Sequence, residues 1–167
     1  MKKEIFGKLN IKRFLQAALY MFLALMCQTM FFSSAKLFGV YPMALPAVAV
    51  AVGMFQGATW GAVFSLIMGF FADMAYIDST ITYTVLFPAI AFASGFVAQF
   101  FINRRFFAYM GASLMALLLT AVVQMLRTAA MDQWAFSMII TVVIQTLWSM
   151  PAAAVAYYPS AKWMKEN

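Results

Sequence analysis

Polar residues interrupt this chain rarely, and where they cluster they divide it into long apolar runs. After a basic opening that holds Lys2, Lys3, Lys8, Lys12 and Arg13, the first run extends from Phe14 to Phe32. Others follow at Pro42 to Ala72, Thr80 to Ile102, Phe107 to Arg127 and Trp134 to Tyr158. A helix needs roughly 20 apolar residues to cross a hydrocarbon core of about 30 Å, and four of the five runs suit one crossing each. The run from 42 to 72 holds 31 residues, too many for one crossing and few for two.

Composition agrees with this pattern. Of 167 residues, 66% are hydrophobic and only 10% are charged, with mean hydropathy +0.89. A soluble domain is about a quarter charged, so the chain reads as an all-α integral membrane protein. Nothing is left over for a separate water-soluble module, which predicts one polytopic membrane domain over residues 1–167. The basic start followed by an apolar run has the flavour of a signal peptide, but the run is long enough for a retained first span. Cys27 is the single cysteine and histidine is absent, so no internal disulfide and none of the usual zinc sites can be built.

Charge resolves the ambiguous run. With the N-terminus in the cytoplasm and two helices between 42 and 72, nine of the eleven basic residues lie inside: Lys2, Lys3, Lys8, Lys12, Arg13, Arg104, Arg105, Lys162 and Lys165. Only Lys36 and Arg127 then lie outside. With a single helix there, Arg104, Arg105, Lys162 and Lys165 move outside and the bias is lost. Because basic residues in short loops set orientation, the expectation is a six-helix bundle with both termini cytoplasmic. Its spans are 14–32, 42–56, 58–72, 80–102, 107–127 and 134–158, with the second turn near Gln56 to Thr59. The net charge of +6 then serves orientation and attraction to anionic lipid, and calls for no nucleic acid.

Within the ambiguous run, small residues recur every fourth position: Gly53, Gly57, Gly61, Ser65 and Gly69, and the next step lands on Asp73. Residues four apart drift only about 40° around a helix, so these positions form one slowly winding stripe. Small-xxx-small stripes let helix backbones approach closely in lipid. Gly57, Gly61, Ser65 and Gly69 therefore serve either packing within the bundle or the docking of a partner helix.

Asp73 falls at the C-terminal end of span three, where the helix dipole disfavours an anion by about 0.3–1 kcal/mol. Arg127, at the end of span five on the same side, is the expected counter-charge. Asp78 reads as an N-cap for span four. Gln28, Gln99, Gln124 and Gln145 are expected to hydrogen-bond between helices, Pro88 to kink span four, and Pro46 to sit in the first turn of span two. No phosphate loop, nucleophile elbow or membrane-embedded lysine accompanies the scattered carboxylates, so no catalytic role and no cofactor is expected.

The stretch from Pro42 to Asp73, with its proline opening and its glycine ladder ending in the aspartate, followed by Asn103-Arg104-Arg105, resembles the rod-shape-determining protein MreD family. The likeness in length, span layout and cytoplasmic termini covers the whole chain. One departure is the absence of glycine just after Asp73, in "MAYIDSTITYT". The resemblance implies a non-enzymatic scaffold of the cell-elongation complex in the bacterial cytoplasmic membrane. It would organise peptidoglycan synthesis with the bitopic protein MreC and, indirectly, with MreB, RodA and its penicillin-binding transpeptidase. Arg104 and Arg105 would face cytoplasmic partners. The family's architecture is similar to that of the substrate-binding subunits of energy-coupling-factor vitamin transporters, which supplies an alternative function. Such subunits use an alanine-xxx-alanine contact on the first span, whereas here Ala17, Ala18 and Ala24 are followed four residues on by Met21, Phe22 and Gln28. A vitamin site would sit near Asp132, Gln133 and Trp134.

Overall fold

The computed structural model describes residues 11–32, 40–75, 81–100, 106–131 and 137–163, and nearly all of them are helical. α1 covers Ile11–Cys27 and continues into a π-helical turn at Gln28–Phe32. α2 covers Leu45–Gln56, α3 Ala58–Ala75, α4 Thr82–Phe100, α5 Phe106–Met131 and α6 Ser137–Trp163. Four of these, α3 to α6, are long and apolar enough to cross a membrane, whereas α1 and α2 are shorter apolar helices. Asp78, Arg104, Arg105 and the stretch from Asp132 to Trp134 lie outside the described residues.

The bundle is apolar on its outer face, and its apolar interior holds a few polar side chains. Gln28, Ser65, Thr120, Thr146 and Ser149 are buried, while Phe22, Phe71, Met115 and Leu147 are exposed. Along α5, Phe107 is 85% exposed and Tyr109, two residues later, is 0% exposed. Soluble monomers rarely present contiguous apolar surface of this kind. In a bilayer it is the expected outer face, because lipid solvates apolar side chains and cannot satisfy polar ones.

α2 is the axis of the fold. Every residue from Leu45 to Phe55 is buried, and α1, α3, α4, α5 and α6 all pack on it. Its sequence, "LPAVAVAVGMFQ", alternates alanine and valine and would pass for a strand in water. Surrounded by helices, its backbone must satisfy its own hydrogen bonds, which the helix does. The small side chains let the surrounding helices close in. Pro46 stands in the first turn, where the missing N–H costs nothing.

The ambiguous run therefore divides into helices of 12 and 18 residues. They meet at Gly57, whose φ of 95° is a left-handed value that favours glycine. Its N–H donates to Gly53 O at 3.0 Å, and its own carbonyl accepts the Gly61 N–H at 2.8 Å. One residue thus ends α2 and starts α3.

Candidate functional site

The glycines weld α2, α3 and α4 together. A Cβ on Gly61 would lie 2.5 Å from the Cα of Gly53, and one on Gly95 would lie 2.7 Å from the Cα of Ala58. A Cβ on Gly53 would overlap Ala91 O, and one on Gly69 would overlap Tyr83 O. At Gly57 the nearest neighbour is the Gln99 side-chain amide, at 3.2 Å from such a Cβ. These neighbours are mostly backbone and cannot move aside, so the stripe is filled by this chain's own helices. Ser65 takes a buried place in the row, and its hydroxyl has no hydrogen-bond partner. Gly95 belongs to the same weld although it lies outside the four-residue ladder. Its sequence signal is the small cluster Ala91, Ser94 and Gly95 on one face of α4.

Asp73 lies in the last turn of α3, since that helix runs on to Ala75. Its carboxylate accepts the N–H of Tyr83 at 3.1 Å, the N–H of Thr84 at 2.7 Å and the Thr84 hydroxyl at 2.6 Å. These donors lie in the first turn of α4, and the positive end of that helix dipole offsets the unfavourable end of α3. Asp73 thus caps α4 from another helix. Arg127, the expected counter-charge, is half-buried on α5.

A polar seam gathers where the chain enters α2. The five residues Val40–Ala44 are not helical, and Pro42, Met43 and Ala44 are buried. Backbone buried without partners would cost about 1–3 kcal/mol per group. Gln28 supplies both halves of its amide, donating to Pro42 O at 3.0 Å and accepting the Ala44 N–H at 2.8 Å. The Met43 N–H donates to the Ser149 hydroxyl at 2.8 Å, which in turn donates to Gln145 O at 2.7 Å. The Gln145 amide donates to Gln124 Oε1 at 2.9 Å, and the Gln124 amide donates to the Tyr83 hydroxyl and to Met43 Sδ. Gln124 and Gln145 do bond between helices, Gln28 bonds the non-helical backbone before α2, and Gln99 is exposed on α4. What the sequence did not reveal is that Gln28, Gln124 and Gln145 gather around Pro42, Met43 and Ala44.

Two tyrosines hold the far half of the bundle. Tyr109, on α5, donates to Ala47 O of α2 and Ala153 O of α6, at 3.2 and 3.1 Å. Tyr20 donates to Ala156 O at 2.8 Å and ties α1 to α6. Tyr157 packs, tilted or edge-on, among Phe55, Phe106 and Tyr109, with ring centroids 5.0 to 6.0 Å apart.

Beside the seam, Met43 and Pro46 face Leu117, Thr120, Gln145 and Ser149 across a narrow cleft. It leaves no room for a water molecule. Thr120, Thr146 and Ser149 each donate to the carbonyl four residues back, so their protons are already used. Among the described residues no three His, Cys, Asp or Glu side chains gather as a metal site would require. The arrangement holds backbone in place; it does not present a nucleophile beside a base.

Compared with protein-family models, with curated proteins and with solved structures, the chain matches none.

Proposed function

We propose that this protein is a six-span scaffold of the bacterial cell-elongation machinery, a member of the MreD family that holds an MreC-like bitopic partner and, through it, the peptidoglycan synthases. The observation that carries the reading is the use of the interior. Its described polar side chains are largely spent on fixing the protein's own backbone: Gln28 and Ser149 at the entry of α2, Asp73 at the start of α4, Tyr109 between α2, α5 and α6. A core of this kind suits a body of fixed shape that others assemble on. Because the glycine stripe is filled from within, partner contact falls to the outer helix faces and to the basic connection at Arg104 and Arg105.

Six crossings are supported by length. α2 alone rises about 18 Å, and the non-helical residues 40–44 that lead into it add to that length towards a core of about 30 Å. Non-helical backbone at membrane depth is tolerated where protein covers it, and Gln28 and Ser149 do so here. Both termini are then cytoplasmic. Reporter fusions at each end, active only on the cytoplasmic side, test the orientation.

The functional test is purification of a tagged copy from its own host in mild detergent, with mass spectrometry of proteins and of released small molecules. An MreC-like bitopic protein with cell-wall synthases is the expected catch. Coupling ATPases with a stoichiometric vitamin would replace the scaffold with a transporter subunit.

A further inference from the structure

We draw no further inference here: the strongest candidate, the outward face of α6 at Leu147, Pro151 and Val155, where proline withholds the N–H that Leu147 O would otherwise accept, is an unpartnered apolar face, and nothing in the structure shows what covers it.

Discussion

The Asp73 carboxylate in the last turn of α3 takes both the N–H and the hydroxyl of Thr84 in the first turn of α4, at 2.7 and 2.6 Å. It thereby acts as a cap supplied from a neighbouring helix. Removing a capping acceptor costs about 0.5–2 kcal/mol. Asp73→Ala should lower stability by that order, measured by reversible unfolding in mixed micelles. A double-mutant cycle of Asp73→Ala with Thr84→Val should show coupling of about 0.5 kcal/mol or more. The same cycle with Arg127→Ala should show less; stronger coupling to Arg127 than to Thr84 would return the role of partner to the arginine.

The two kinds of glycine in the bundle should respond oppositely to alanine. At Gly61 the new Cβ would stand 2.5 Å from the Cα of Gly53, so α2 and α3 must separate. Gly61→Ala should cost about 1–3 kcal/mol, the usual penalty of overpacking. On α5, a Cβ on Gly111 meets nothing within 4 Å. Gly111→Ala should be neutral or stabilise by up to about 1 kcal/mol, through helix propensity alone. Thermal unfolding of both variants in one detergent checks the sign of each.

Much of this was legible in the sequence, and the reasons are local. The breaks between helices follow loop polarity, and the turn at Gly57 lies in the predicted stretch because a compressed pair of helices needs a residue tolerant of positive φ. That Gln124 and Gln145 would bond between helices follows from the cost of leaving an amide in an apolar interior. What escaped reading was tertiary. The partner of Asp73 depends on how α3 and α4 are placed, and ten residues of chain between Asp73 and Tyr83 do not encode that placement by periodicity. Gly95 joins the weld because α4 lies against Ala58; the small cluster on α4 signals a close approach but not which helix makes it. The 42–72 run is shared between a helix of 12 residues, shorter than a full crossing, and one of 18, a division that the sequence left open.

Tyr109 offers a case where hydroxyl and ring can be separated. Its hydroxyl donates to Ala47 O and Ala153 O, carbonyls that sit within helices. Tyr109→Phe should therefore cost only about 0.5–1.5 kcal/mol. Tyr109→Ala also empties a fully buried site at the Tyr157 cluster and should cost about 3–5 kcal/mol. Equal losses in the two variants, measured by the same unfolding assay, would mean that the hydrogen bonds and not the packing hold this end.

Two buried serines carry the last contrast. Ser149 accepts the Met43 N–H, a backbone donor that has no helix to turn to because Met43 precedes α2. Ser149→Ala leaves that N–H unpaired in an apolar interior, so stability should fall by about 1–3 kcal/mol. Ser65 occupies an equally buried place on α3, but its hydroxyl has no partner. Ser65→Ala removes an unsatisfied polar atom while keeping a side chain small enough for the stripe, and should leave stability unchanged or raise it slightly. The pair is measured best as a difference between variants of equal chemistry, since both replace one hydroxyl by hydrogen. If Ser65→Ala proved the more damaging of the two, the Ser65 hydroxyl would have to be bonded in the membrane, and the entry of α2 would not rest on Ser149.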